Sequence, residues 1–439
     1  MNLMTVLQPG LIVLHGNHCE DLMGAVAAWL QRHPLPPLVT DTVLVQSNGM
    51  GEWFKTELAR LNGVCTATQV QLPARFMWRT YRQVLGADRV PRTSPMDKAP
   101  LTWRLLRLLP RLLHTPHLQA HFSPLQHFLE GDEDDRRYQL AAQLADLFDQ
   151  YQFYRADWLQ AWAQGQAVLI DAQGRTQPLP PEQHWQALLW QALLDELGDE
   201  QDHLTRAAVH PRFLAQVQAL AHPPVGLPPR IVVFGMSHFP QAFMEGMAAL
   251  SRHCQVLIAM PNPCRFHWAD TLDGRELQRL QRCRLPLKHG RDLSDTPVTE
   301  LHAHAHPLLA AWGKASRDCL RMLDRFDDTA QHQARFELAR IDLFDETPSD
   351  ADTPLLRQLQ NDIRDLVPVA ERMAQPPTWQ ATDRSVVFHI AHSPLRELEV
   401  LHNRLLDVLA DGKLEPRDIV VMMPDVGAHD ATIRAVFGQ

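Results

Sequence analysis

The sequence predicts an α/β fold: a parallel sheet interrupted by a large helical insertion. Three observations carry this. Four short apolar, β-branched runs stand at 11–15 (LIVLH), 42–46 (TVLVQ), 230–235 (RIVVFG) and 255–260 (QVLIAM). None alternates strictly, the pattern of strands buried on both faces. Helix-like segments follow them, such as CEDLMGAVAAWLQRH and PQAFMEGMAALSRH, and strand–helix alternation calls for right-handed crossovers. The second and third runs are far apart, and 72–223 between them reads almost wholly as helix. There LTWRLLRLLPRLLH and YQLAAQLADLFDQYQFYRADWLQAWAQ place apolar residues at helical spacing.

Each boundary has a local cause. HPPVGLPPR (222–230) is a proline-rich return to the sheet. This gives one discontinuous α/β domain, 1–71 with 224–344, around a helical subdomain, 72–223. The acidic, proline-bearing DETPSDADTP (345–354) opens a linker with a short helix, 345–384. A new α/β pattern starts at 385, with SVVFHIAHSPLRELEVLHNRLLDVL and then RDIVVMMPD. Ser393 and Pro394 make a good helix start, as N-cap and first helical residue. Two strands and one long helix bury little surface, so 385–439 reads as the start of a unit completed by further sequence or by another chain.

The 439 residues are 45% hydrophobic and 21% charged, a globular composition with core enough for two or three domains. The net charge of -9 gives no whole-chain basic balance, but a groove acts through local charge. Cysteines at 19, 65, 254, 264, 283 and 319 form no Cys-x-x-Cys, which suits a reducing cytoplasm. MNLMTVLQPG lacks the basic and apolar regions of a signal peptide, and no apolar run reaches bilayer length.

The first strand–loop–helix, LIVLHGNHCEDLM, sits where an α/β protein often cradles phosphate. Gly16-Asn17-His18-Cys19 fills the loop with no Lys and no Gly-Lys-Ser/Thr. No apolar strand ends in an Asp-Glu pair that could hold magnesium. The segment therefore argues against ATP binding. The next strand–loop–helix, VLVQSNGMGEWF, also lacks a Lys, and its Gly49 and Gly51 would let backbone approach a ligand closely.

Three histidine groups could be drawn as zinc sites: His114, His117 and His121; His302, His304 and His306; and His15 and His18 with Cys19. Pro116 breaks the first, the second lies in a loop-like stretch, and none adds a regularly spaced fourth ligand. The bland reading is preferred for all three.

The segment 75–111 is basic, with Arg75, Arg79, Arg82, Arg89, Arg92, Lys98, Arg104, Arg107 and Arg111 against only Asp88 and Asp97. Phe76, Trp78, Tyr81 and Trp103 are interleaved. Cations neutralise phosphates and aromatic faces stack unpaired bases. A solvated helix face over core aromatics explains the same pattern, and both readings stay open. In ADLFDQYQFYRADW, Asp146 and Asp149 sit near one helical turn apart; no third acid or nearby Lys supports a nuclease site. Such carboxylates can also accept from cytosine or hold an arginine. GDEDDRR (131–137) reads as a solvated turn.

Six ordered blocks then carry a resemblance: VLVQSNGMGEW, LPARFMW, LADLFDQYQFYRADWL, NPCRFHW, PLLAAWGKASRD and SPLRELEVLHNRLL…PRDIVVMMPD. Together they resemble the N-terminal part of the RecC family, the gamma subunit of exodeoxyribonuclease V (RecBCD). The resemblance runs from about residue 11 to the end, and family members are more than twice this long. It implies a superfamily 1 helicase-like, RecA-like fold that has lost its ATPase motifs. It further implies a non-catalytic subunit that holds RecB and RecD motor subunits and helps split duplex ends. Such a subunit threads the 3′-ended single strand and reads the Chi hotspot in recombinational repair. No cofactor is expected on this chain, ATP and Mg2+ being used by partner subunits; a cytoplasmic location and no membrane partner are expected.

Chi-reading positions carry over one by one. Gln46 matches a glutamine able to pair with a base edge. Asn48 and Glu52 fall where the best-known relative has Thr and Gln. Leu72 and Trp78 match an apolar wedge and a stacking platform. Asp146, Leu147 and Asp149 match the DLFD run, and Arg155 and Arg206 match basic positions suited to phosphate or guanine. Gln donates and accepts whereas ionised Glu only accepts. The hotspot read here is therefore expected to differ from the familiar octamer, or to be read more loosely.

Overall fold

The computed structural model describes residues 7–116, 118–129, 133–171, 174–198, 205–269, 306–324, 326, 341–345 and 352–438. The chain opens with β1 (Gly10–Gly16), α1 (Cys19–Arg32), β2 (Asp41–Val45), α2 (Asn48–Asn62), β3 (Thr68–Gln71) and α3 (Pro73–Leu85). A helical run follows: α4 (Lys98–Leu113), α5 (Gln119–Leu129), α6 (Glu133–Tyr154) and α7 (Ala156–Ala163). Next come β4 (Val168–Ile170), β5 (Thr176–Pro178), α8 (His184–Leu197) and α9 (Arg206–Ala219). The chain then makes β6 (Arg230–Phe234), α10 (Gln241–Leu250), β7 (Gln255–Pro261), α11 (Pro307–Trp312), α12 (Lys314–Asp324) and β8 (Ile341–Leu343). The last elements are α13 (Leu355–Arg364), α14 (Val369–Ala374), α15 (Pro394–Ala410) and α16 (Val426–Phe437).

Six strands form one sheet in the order β3-β2-β6-β7-β1-β8, and every pairing is parallel. The four apolar runs are its four central strands. Their residues divide alternately between two cores, which is why the runs are continuous rather than alternating. Ile12, Leu14, Val43, Val45, Val232, Phe234, Leu257 and Ala259 pack under α1 and α2 with Leu22, Val26, Phe54 and Leu58. Leu11, Leu44, Ile231, Val233, Val256 and Ile258 pack on the other face with Phe76, Tyr81, Phe213, Phe243 and Met247 from α3, α9 and α10. A third core joins helices between Met96 and Ala207, around Leu105, Phe148, Trp162 and Trp190. Emptying a buried Phe position such as Phe234 would cost about 3–5 kcal/mol.

The edge strands β3 and β8 lie outside the expected set, as does the antiparallel hairpin β4–β5 inside the helical run. TQVQ is short and largely polar and IDL has only three residues, because an edge strand has only one ladder partner and less core to meet.

The chain divides into two units, Met1–Thr347 with Asp362–Ala374, and Pro348–Asn361 with Gln375–Gln439. In the second, Ser393 caps α15 by accepting from the Arg396 N–H at 3.2 Å. The strands expected at 385–392 and 417–425 are not formed: neither stretch has a ladder partner among the described residues. Phe388 is 87% exposed and Ile390 fully so, and Val420 and Met422 also face solvent. A strand persists only where a neighbour satisfies its N–H and C=O groups. Of the residues singled out in the sequence, His117, His302, His304, Cys283, 131–132 and 346–351 lie outside the described residues; the rest of the turn expected at 131–137 is instead the start of α6 (Glu133–Tyr154).

The sheet's N-terminal edge holds one buried ion pair. Arg230, wholly buried at the start of β6, places Nε 3.2 Å from Asp41 Oδ1 at the start of β2 and donates to the His33 carbonyl. Burial pushes the Asp41 carboxyl up, and Arg230 opposes that. Removing one partner of such a pair strands the other charge, so Arg230→Ala should destabilise the fold by about 3–5 kcal/mol. A urea titration of the full-length protein followed by circular dichroism checks this, and Arg230→Met with Asp41→Leu should recover most of the loss.

Candidate nucleic-acid interface

In a parallel sheet flanked by helices, ligands meet the C-terminal ends of the strands. Two loops here, after β1 and after β2, differ sharply.

The loop after β2 is open. Ser47 caps α2 by accepting from the Met50 N–H at 3.2 Å. Gly51 is buried, and a Cβ there would lie 2.9 Å from Val70 of β3. Met50 packs on Gly235 after β6, and Trp53 and Phe54 meet the Phe234 ring at 5.9 and 5.1 Å. On this fixed base Gln46, Asn48 and Glu52 are exposed; only Glu52 has a side-chain partner among the described residues, Lys55 at 2.9 Å. Gly51 thus serves a close helix–strand contact within the protein, not the ligand approach expected of it; Gly49 is the open one. The register Leu44↔Gln71 sets Gln46 close to Leu72, which is 38% exposed and N-caps α3.

The loop after β1 is filled. A Cβ on Gly16 would come within 2.9 Å of the Leu343 carbonyl oxygen. The Asp345 N–H donates to Asn17 Oδ1 at 3.2 Å, and the Asp345 carboxylate lies 3.7 Å from His18 Nε2. Glu20 and Asp21 occupy the first turn of α1. Three carboxylates thus lie at or near the helix end where a phosphate would need positive charge.

One turn and more into α3, Trp78 is only 8% exposed, and its indole N–H donates to the Pro91 carbonyl at 3.1 Å. Trp78, expected as a stacking platform, is thus a largely buried ring. The Arg206 guanidinium lies over that ring at 5.9 Å and donates to Asp97 at 3.0 Å. Burial pushes the Asp149 carboxyl up; Arg206 opposes this, while Asp97 and Asp146 add to it. Asp146 pairs with Lys98, whose hydrogen bond holds its carboxyl below the usual range. Leu147 is half-buried between the two acids. Trp78, Asp146, Asp149 and Arg206 therefore meet around Asp97 and Lys98.

Arg155 precedes α7. It pairs with Asp157 at 3.0 Å, lies 4.0 Å over the Trp158 ring and donates to the Ile170 carbonyl. It lines a cleft of about 510 Å³ with Tyr154, His210, Phe239, Glu245 and Arg321. A smaller recess lined by Trp78, Phe153, Ala156, Arg206 and His210 adjoins it, sharing Phe153, Ala156 and His210. Among the described residues no three His, Cys, Asp or Glu side chains gather as a metal site, and no helix is long and apolar enough to cross a membrane.

The family model for the RecC N-terminal domain matches residues 11–366. The chain belongs to the RecC family. It is 33% identical to the RecBCD enzyme subunit RecC of Escherichia coli and 34% identical to that of Haemophilus influenzae, over 98% of this chain in each case. The corresponding subunit of Mycolicibacterium smegmatis is 31% identical over 97% of it. The chain spans 38%, 39% and 34% of the length of these RecC relatives.

Within this RecC-family chain, sequence reasoning missed a buried relay. The Tyr81 hydroxyl lies 2.9 Å from His210 Nδ1, and His210 Nε2 lies 3.0 Å from Glu245 Oε2. An ionised Glu only accepts, so one tautomer satisfies all three: Tyr81 donates to Nδ1 and Nε2–H donates to Glu245. Tyr81 and His210 are 129 residues apart, so no spacing could have revealed them. The His210 hydrogen bond, and less so that from Gln241, holds the Glu245 carboxyl below its usual range. A lowered folded value means the contribution to stability is complete above the ordinary glutamate value, near 4.5, and is lost as pH falls through the folded one. Glu245→Gln should therefore lower the melting temperature at pH 6–7 and narrow its gap to wild type as pH drops below about 4.5. Thermal melts across that range read the difference.

Proposed function

We propose that this chain is the non-catalytic, DNA-handling part of a RecBCD-type helicase–nuclease. Its sheet is a superfamily 1 helicase-like domain without a working nucleotide site. It channels the 3′-ended single strand and reads a Chi-like hotspot during double-strand-break repair by homologous recombination. RecB-like and RecD-like subunits in the cytoplasm are its partners, and they use the ATP and Mg2+.

The contrast between neighbouring edge loops carries this reading. After β1 the crevice is occupied by Leu343, Asn17 and Asp345 and is anionic. After β2, two amides with no side-chain partner among the described residues and the Glu52 carboxylate stand exposed on a rigid base, with Gln46 close to the apolar Leu72. Amides of Gln and Asn both donate and accept, as base-edge recognition requires. Glu52 accepts only, which favours a donor edge such as cytosine N4. Arg155 and Arg206 are held by Asp157 and Asp97, and this favours a second reading, a scaffold without sequence recognition.

Hotspot response of the assembled three-subunit complex on a randomised target strand separates the two. Gln46→Ala should reduce discrimination by about 1–3 kcal/mol, roughly 5- to 150-fold, while duplex unwinding persists. An unchanged response in both Gln46→Ala and Asn48→Ala would leave the scaffold reading standing instead.

A further inference from the structure

We propose that the outward face of α3 carries the sugar–phosphate backbone of a single nucleic-acid strand, with Arg75 and Arg79 as its phosphate contacts. This rests on the reading of the chain as a strand-handling subunit and adds a site to it.

The basic segment 75–111 splits in two in the structure. Of its later cations, Lys98 pairs with Asp146, and Arg104 and Arg107 share Glu196, while Arg111 is exposed with no ion pair among the described residues. Among the described residues, Arg75, Arg79, Arg82, Arg89 and Arg92 form no ion pair. Helix α3, PARFMWRTYRQVL, contains no acid at all.

Leu72, Arg75 and Arg79 are spaced i, i+3 and i+7, so they share one face of the helix. The opposite face, with Phe76, Met77, Thr80 and Tyr81, is buried and fixes the helix. Arg75 is exposed, and Arg79 is partly so. Arg79 Nε is buried with no hydrogen-bond partner, and its guanidinium lies 5.7 Å over the Phe76 ring. Burial first, and then the charge of Arg75, push the Arg79 guanidinium below its ordinary value. Two like charges one turn apart with no acid between them destabilise a helix. An anion bound along the face reverses that sign.

The stripe begins at Leu72, which the strand register sets close to the exposed amide of Gln46. Its two cations are one turn apart, roughly 6 Å along the axis. A strand whose bases reach the loop after β2 would lay successive phosphates along this helix. A carboxylate-rich protein segment would satisfy the cations but not the adjoining amides and apolar residue.

The test uses the full-length subunit in its assembled complex. The probe is a fluorescein-labelled single-stranded oligonucleotide of mixed sequence without a hotspot, with binding followed by anisotropy through a salt titration. Arg75→Gln with Arg79→Gln should weaken binding about tenfold near 0.1 M salt and lower the salt slope by about 1.4, two phosphates at about 0.7 each. The effect should be equal for all sequences, and Arg→Lys at both positions should restore most of the slope. Circular dichroism checks that the fold is kept, and Arg75→Gln alone, at an exposed position, should lower the slope by about 0.7. An unchanged slope overturns the proposal. So does unchanged strand affinity with weakened assembly of a partner subunit, which would mark the face as a protein contact. Gln46→Ala should alter sequence preference and leave the slope alone; a slope effect without any hotspot effect would sink the sequence-reading function and keep this site.

Discussion

A parallel sheet buried on both faces leaves its strands only their ends with which to touch anything else. Here the constraint is strict. Ile231 and Val233 serve one core, Val232 and Phe234 the other, and none of the four is solvent-accessible. Recognition therefore falls to the loops at the C-terminal edge and to the first turns of the helices that follow. Two glycines show how differently neighbouring loops have been used. Gly16 lets the Leu343 carbonyl close over the end of β1, whereas Gly51 lets α2 sit tightly on Val70 and hold the loop after β2 clear of the body. The same device, a missing Cβ, seals one crevice and presents the other.

What was legible in the sequence follows from where the information sits. The four central strands announce themselves because burial on both faces demands uninterrupted apolar runs. TQVQ of β3 could not, since an edge strand with partly exposed residues has no such demand on it. The runs at 385–392 and 417–425 carry the composition of strands, but composition does not supply a ladder partner, and among the described residues they remain unpaired. In the site, the loop after β2 was readable because its parts are contiguous. The pairs Arg206–Asp97 and His210–Glu245 were not, being 109 and 35 residues apart and joined only by helix packing.

The aromatic residues interleaved with the basic segment teach a related lesson. Phe76, Trp78 and Tyr81 are core residues, packed with Met77 and Phe213, while Trp103 alone is exposed. Helical periodicity sorts them: every residue that shares the apolar face of α3 is buried, whatever its capacity to stack. Trp78 still meets the Arg206 guanidinium, which lies over its ring, and lines the recess that adjoins the larger cleft.

This arrangement separates the two quantities a strand-reading protein must control. Phosphate contacts set affinity and register without regard to sequence, and base-edge contacts discriminate while adding little to the grip. The cations on α3 and the amides on the loop after β2 belong to different elements, yet Leu72 joins them: it ends the segment leaving β3 and begins α3. Because α3 is anchored by Phe76, Met77 and Tyr81, a strand held by its cations would arrive at the loop in a fixed register. On the proposed reading, loss of a cation would change how long the strand stays, and loss of an amide which bases are preferred. The helix core that positions the cations is therefore also what gives the amides their meaning.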